Sequence, residues 1–102
     1  MSSRNVGMIG LGRIGLPMAL HLIENGFTVS GFDIAIERRR QLETAGGIAF
    51  DSAHALAVNL STPRIILILV PAGGAVDAAI GEILPALIPS DTVLACGNSH
   101  FL

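Results

Sequence analysis

At 102 residues, with 51% hydrophobic and 14% charged side chains and 12 glycines, the chain has the composition of a compact globular domain, which excludes disordered and collagen-like classes. Six basic residues against eight acidic ones give a net charge of −2, and no basic run is long enough to follow a phosphate backbone, which argues against nucleic acid as a partner. A chain of this length has room for one core and not for a second, substrate-binding domain.

All six basic residues are arginines (Arg4, Arg13, Arg38, Arg39, Arg40, Arg64), so chemistry that needs a lysine must come from outside these residues. The single cysteine, Cys96, cannot form an internal disulfide, and after Leu94 and Ala95 it reads as a buried strand residue of a protein in a reducing compartment, the cytoplasm. The longest apolar run, Ile65 to Ala72, falls far short of the roughly 20 residues that span a bilayer, and the N-terminus shows no signal-peptide pattern. A mean hydropathy of +0.67 is high for a small domain and predicts apolar surface covered by more chain or by a second subunit, hence a homo-oligomer.

Val6, Met8 and Ile9 form a short apolar run that ends in Gly10-Leu11-Gly12-Arg13-Ile14-Gly15, where a helical pattern begins; the segment reads as strand, tight turn, helix. Ile14, Met18 and Leu22, with Ala19 and Ile23 beside them, predict that helix's apolar stripe. Pro17 falls in its first turn and Asn25-Gly26 stops it. A second strand, Thr28 to Phe32, ends at Asp33, and a charged helix from about Ile36 to Ala45 stops at Gly46-Gly47. Ile48 to Phe50 is a short third strand. Asp51 and Ser52 can cap a helix running to about Leu60, with Ala53, Leu56, Ala57 and Leu60 on one face.

Arg64 to Val70 lacks alternation, the pattern of a central parallel strand buried on both faces. Val76, Ala79, Ile80, Ile83, Leu84 and Leu87 then keep helical spacing, with Pro85 bending or ending that helix, and Thr92 to Cys96 reads as a fifth strand. Strands alternating with helices predict right-handed crossovers in a parallel sheet, so the fold class is α/β: a Rossmann-like sheet of about five strands, in order 3-2-1-4-5, with helices on both faces.

The glycine motif follows a strand, opens a helix and precedes a carboxylate, Asp33, at the end of the second strand, which is the context of a dinucleotide-binding turn. Gly10 permits the tight turn, Gly12 lets backbone approach a pyrophosphate, and Gly15 lets the helix pack on the sheet. Helix N–H groups and the helix dipole then favour the diphosphate. The alternative is a glycine turn that binds nothing. Asp33 can accept hydrogen bonds from the adenosine ribose and would repel a 2′-phosphate, favouring NAD over NADP; its alternative is a turn residue or a cap for the helix near Ile36. Arg38, Arg39 and Arg40 lie near the ribose end, where an arginine could clamp a phosphate, although at least two of them are expected to project from the polar face with Glu37 and Glu43 as partners.

In this strand order the loops after strands four and five border the nicotinamide half of the ligand, namely Val70-Pro71-Ala72-Gly73-Gly74 and Gly97-Asn98-Ser99-His100. Asn98 and Ser99 can hydrogen-bond a ribose hydroxyl or a substrate carboxylate, or serve as ordinary turn residues. His21, His54 and His100 are dispersed, so no metal site is indicated; the first two read as helix-surface residues, and His100 alone lies near the crevice. No catalytic residue is assigned within the chain.

Three segments together resemble the N-terminal domain of the β-hydroxyacid dehydrogenase superfamily, and most of all its 6-phosphogluconate dehydrogenases. Gly10 to Ala19 (GLGRIGLPMA) resembles the superfamily's opening dinucleotide motif. Leu69 to Asp77 (LVPAGGAVD) is similar to the Leu-Val-Lys-Ala-Gly pattern, and Gly97-Asn98-Ser99 to the end of Asp-Gly-Gly-Asn-Ser. Pro71 stands where many members carry lysine, Ala95-Cys96 replaces Asp-Gly, and Asp33-Ile34-Ala35 replaces the Asn-Arg-Thr of NADP-using members.

The resemblance covers nearly the whole chain. It implies cofactor contacts at Gly10, Leu11, Gly12, Arg13, Ile14, Gly15, Asp33, Val70, Pro71, Ala72 and Asn98, with Asn98 and Ser99 also bordering substrate. It further implies hydride transfer from a sugar acid or β-hydroxyacid to NAD(P), then decarboxylation, with a lysine base and a helical second domain that these residues do not include. The chain is accordingly expected to be the cofactor-binding part of a longer dehydrogenase, inactive alone, with a stand-alone NAD(H)-binding module as the alternative.

Overall fold

The computed structural model describes residues 5–70 and 74–95. Five parallel strands, β1 (Asn5–Ile9), β2 (Thr28–Phe32), β3 (Ile48–Ala49), β4 (Ile65–Ile68) and β5 (Thr92–Ala95), lie in the order β3-β2-β1-β4-β5. Four helices connect them: α1 (Gly15–Glu24), α2 (Ile36–Thr44), α3 (Ala53–Asn59) and α4 (Gly74–Ile83). The chain winds outward from β1 to β3, then returns to the other side of β1 as β4. That reversal leaves β1 and β4 as neighbours with their C-terminal ends flanking a crevice, the place where open α/β sheets bind ligands.

Alternate residues of β1 feed two cores. Val6 and Met8 join Leu11, Ala19, Val29 and Leu42 under α1 and α2. Ile9 joins Leu56, Leu60, Ile66, Ile68 and Ile83 under α3 and α4. The predicted α3 stripe of Ala53, Leu56, Ala57 and Leu60 is wholly buried, and its N-terminus is capped by the Ser52 hydroxyl, which accepts from the Ala55 N–H at 3.0 Å.

Three expectations change. On α1 the buried residues are Gly15 and Ala19, with Leu16, Leu22 and Ile23 packed beside them, whereas Ile14 and Met18 are exposed. Gly15 and Ala19 face the sheet because a helix that starts against the glycine turn needs small residues on its contact side, which rotates Ile14 and Met18 outward. Second, β4 is fully buried on one face only: Ile66 and Ile68 are buried under α3 and α4, while on the other face Leu67 is half-buried beside the α1–α2 core, Ile65 is 41% exposed, and Leu94, which pairs with Leu67 in β5, is 50% exposed. The helices on that face, α1 and α2, pack mainly over β1, β2 and β3 and cover β4 in part, so an unbroken apolar run here did not mean two fully covered faces. Third, Leu84 points to solvent because the helix tightens at Pro85 into a 3-10 turn, Leu84–Ala86. The fifth strand is described through Ala95, and Cys96 lies outside the described residues.

The N-terminal ends of β4 and β5 are tied by a buried ion pair. Arg64 donates from Nε to the Ala57 carbonyl at 2.7 Å and from Nη1 to the Ala86 carbonyl at 2.8 Å and Asp91 Oδ2 at 2.9 Å. The backbone N–H groups of Arg64 and Ile88 donate to the same carboxylate, which joins α3, the 3-10 turn and both strands at one node. Burial pushes the Asp91 carboxyl up, but these N–H groups and the guanidinium outweigh it and hold the carboxyl below its ordinary value of 3.8. A carboxylate whose acidity is strengthened by folding adds stability above its unfolded-state pKa, and this is lost as pH falls through the folded value. The melting temperature should therefore fall on acidification toward pH 3 and below, and Asp91→Asn should be less stable than wild type at neutral pH with the gap closing in acid. Melting curves collected by circular dichroism across pH check this, and parallel curves for the two proteins would contradict it.

Candidate functional site

The glycine turn joins β1 to α1 at the mouth of the crevice. Gly10 has φ of +102°, a conformation that L side chains rarely adopt, and a Cβ there would stand 2.5 Å from the Leu69 carbonyl oxygen. A Cβ on Gly15 would collide with the Gly10 carbonyl. These two glycines are required by the fold itself. Gly12 differs: a Cβ would meet only the end of the Arg38 side chain, at 3.2 Å, so nothing rigid in the protein forbids a side chain there. The packing of the described residues therefore leaves the backbone at Gly12 open.

The peptide unit of Leu11 holds the turn in place. Its N–H donates to Asp33 Oδ2 at 2.7 Å, and its carbonyl accepts from Arg38 Nη1 at 3.0 Å, so the start of the turn is gripped by the end of β2 and by α2. The other Asp33 oxygen, Oδ1, accepts from the Ala35 N–H at 2.8 Å, which closes the turn into α2 without capping it, since Ala35 is the capping position. Each carboxylate oxygen keeps a further acceptor site. Asp33 is therefore both turn residue and available acceptor.

The arginine cluster is divided differently from expectation. Arg40 alone is exposed, at the 4.0 Å edge of an ion pair with Glu37. Arg38 and Arg39 are half-buried; Arg39 donates to the Asp33 carbonyl at 3.2 Å and stands 6.0 Å from the centre of the Phe32 ring. Two guanidinium groups thus turn toward the site, drawn by backbone carbonyls that sequence spacing does not reveal.

A cavity of about 360 Å³ opens beside the turn, between the C-terminal ends of β1, β2 and β4, the first turn of α3 and one face of α4 along most of its length. Ile9, Gly10, Gly12, Phe32, Asp33, Leu69 and Val70 form its floor and one side; Ile34, Ala53, Ala75, Ala78, Ala79 and Glu82 complete it. Its size and mostly apolar walls suit the aromatic part of a small ligand. No side chain caps the N-terminus of α1, whose capping position is Ile14, and this leaves the helix end open to an anion. Sequence reasoning overlooked the α4 wall. The signal was present, because Ala75, Ala78, Ala79 and Glu82 have the i, i+3, i+4, i+7 spacing of one helix face.

Of the candidate cofactor residues, Gly10, Gly12, Asp33 and Val70 converge on this cavity. Leu11 contributes its peptide while its side chain is buried in the core, and Gly15 is packed on the sheet. Arg13 and Ile14 are exposed at the turn. Pro71, Ala72, Asn98 and Ser99 lie outside the described residues, as does His100. His21 and His54 are exposed on their helices.

Comparison with known proteins gives the turn and cavity a context. A family profile for the NAD binding domain of 6-phosphogluconate dehydrogenase matches residues 5–102. The chain is 38% identical over 96 residues to an NAD(+)-dependent, decarboxylating 6-phosphogluconate dehydrogenase of Haloferax volcanii, covering 94% of this chain and 32% of that protein. It is 33% identical over 102 residues to a decarboxylating 6-phosphogluconate dehydrogenase of Chlamydia pneumoniae, covering 95% of this chain and 21% of that protein. Among solved structures, Plasmodium falciparum 6-phosphogluconate dehydrogenase, studied apo, with NADP+ and with 6-phosphogluconate, matches with TM-score 0.82 and 26% identity over 95% of this chain and 22% of its own. A 3-hydroxyisobutyrate dehydrogenase of Mycobacterium tuberculosis matches with TM-score 0.84 at 24% identity over 94% of this chain and 32% of its own, a likeness of fold.

The steric division among the glycines makes a prediction about folding. Gly10→Ala and Gly15→Ala should each lower the melting temperature by about 4 °C or more, the shift that ~1 kcal/mol produces in a domain of this size. Gly12→Ala should melt close to wild type. Thermal melts of the three variants check this, and equal losses at all three positions would contradict it.

Proposed function

Because the chain belongs to the family of the NAD binding domain of 6-phosphogluconate dehydrogenase, we propose that it binds NAD in preference to NADP and serves as the cofactor-binding part of a longer dehydrogenase acting on a sugar acid or related β-hydroxyacid. The observation that carries the binding is Gly12, the one glycine of the turn that the protein's own packing leaves open. The diphosphate lies against the turn, favoured by the uncapped end of α1 and by the positive charge of Arg38. The adenosine ribose lies at Asp33, whose remaining acceptor sites take its hydroxyls. The same carboxylate opposes a 2′-phosphate by charge, and Arg38, which could favour one, is held by the Leu11 carbonyl. The NAD(+)-dependent relative from Haloferax agrees with this choice.

A bound nicotinamide would supply hydride acceptance, the hydride coming from the hydroxyl-bearing carbon of the substrate. This chain's part would be to fix the dinucleotide; the resemblance implies cofactor contacts at Val70, Pro71, Ala72 and Asn98 and substrate contacts at Asn98 and Ser99. The hydroxyl proton must leave to a base as the hydride departs, and the resulting β-keto acid can then lose carbon dioxide. The resemblance implies a lysine as that base, and with none among the 102 residues it would be supplied by a part of the enzyme outside them. The reading places the protein in the cytoplasm, and it assigns the exposed Ile65–Leu94 side of the sheet to contact with further chain or a second subunit of a homo-oligomer. Among the described residues no helix is long and apolar enough to cross a membrane.

NADH fluorescence tests the binding without interference, since the chain contains neither Trp nor Tyr. Wild type should bind NADH more tightly than NADPH, Gly12→Val should lose about tenfold or more in affinity, equivalent to ~1.4 kcal/mol, and Asp33→Asn should narrow the preference. Tighter binding of NADPH by wild type would show that the arginines prevail over Asp33, and unchanged affinity in Gly12→Val would remove the turn from the site. The 102 residues alone should not reduce NAD with 6-phosphogluconate; sustained NADH formation abolished by His100→Ala would instead identify a minimal enzyme.

A further inference from the structure

Resting on the dinucleotide reading of the same site, we propose that Glu82 is a specificity residue that recognises the exocyclic amine of adenine. The cavity is walled by Ile34 on the β2 side and by Ala75, Ala78 and Ala79 on α4, small and apolar surfaces suited to the two faces of a flat ring. Of its described lining residues only Asp33 and Glu82 carry charge. Asp33, at the end of β2, takes the ribose. Glu82 continues the alanine face of α4 one turn further on, beside the start of α3. A ring attached to that ribose and seated between these walls would present its edge there.

The chemistry at that edge is selective. An ionised carboxylate only accepts hydrogen bonds. The 6-amino group of adenine donates two, whereas the 6-oxo group of hypoxanthine presents lone pairs and repels a carboxylate; because hypoxanthine gains an N1–H donor beside it, the selectivity belongs to a carboxylate that meets position 6 and not N1. Among the described residues the contact of Glu82 is from the His54 N–H to Oε1 at 3.4 Å, the long limit of a hydrogen bond, and Oε2 accepts from none of them. The competing explanation of the residue is purely structural, a carboxylate placed favourably at the N-terminal end of α3.

Titrating NADH and reduced nicotinamide hypoxanthine dinucleotide into wild type, Glu82→Ala and Glu82→Gln separates the two. Wild type should bind NADH about tenfold more tightly than the hypoxanthine analogue, a ratio expected of one hydrogen bond to a charged group. Glu82→Ala should lose that ratio mainly by weakening NADH, and Glu82→Gln, which keeps an acceptor oxygen, should retain part of it. Equal affinities for the two dinucleotides in wild type would overturn the proposal. So would a Glu82→Ala variant that lowers the melting temperature and weakens both ligands alike, the outcome of a helix-end role. Failure of either dinucleotide to bind at all would remove the dinucleotide reading as well, whereas good binding without discrimination removes only the role of Glu82.

Discussion

The Leu11 peptide is the point on which the site depends. A glycine-rich turn has more conformational freedom than any other short segment, and left alone it would not present a fixed surface to a ligand. Here its N–H is held by Asp33 and its carbonyl by Arg38, while the Leu11 side chain is buried in the core beneath α1 and α2. The turn is therefore fixed by backbone and core contacts, and neither oxygen of Asp33 is fully occupied in doing so. A ligand meets a preformed surface, with less ordering left to be offset by binding.

That arrangement gives the charged groups near β2 structural roles: Asp33 sets the turn, Arg38 braces it, and Arg39 ties the end of β2 to α2 through the Asp33 carbonyl and the Phe32 ring. On the proposed function Asp33 would also face the ribose and Arg38 would lend positive charge to the diphosphate. Substitutions at Asp33 consequently act on affinity and on turn geometry together, and Gly12 is the position where the two effects come apart. At the opposite end of the sheet the Arg64–Asp91 node fixes β4 against β5, so the crevice at the C-terminal ends stands on strands anchored at their N-terminal ends.

Much of this was legible in the sequence because it depends on local pattern. The glycine spacing, the carboxylate after β2, the α3 stripe and the strand order all follow from periodicity, turn chemistry and the handedness of crossovers. What escaped depends on tertiary placement. Ile14 and Met18 have helical spacing but lie on the outward side of α1, because Gly15 and Ala19 are the residues small enough to meet the sheet. The apolar run of β4 did not disclose that α1 and α2 cover the sheet only partly beyond β1, burying Leu67 halfway and leaving Ile65 and Leu94 exposed. The spacing of Arg38, Arg39 and Arg40 predicts at least two of them on a solvated face, but the carbonyls of Leu11 and Asp33 hold Arg38 and Arg39, and those partners come from tertiary placement. Ala75, Ala78 and Glu82 formed a visible face, yet only the cavity gave that face a meaning.

The central claim is that the backbone from Gly10 to Gly15, held at Leu11, is the surface that receives a nicotinamide dinucleotide. Amide chemical shifts of the isotope-labelled domain, followed by two-dimensional NMR during titration with NADH, test it most directly. Saturable shifts concentrated at the amides of residues 10–15 and around Asp33 are the expected result. A titration that leaves those amides unmoved, or moves only residues remote from the crevice, would contradict the account.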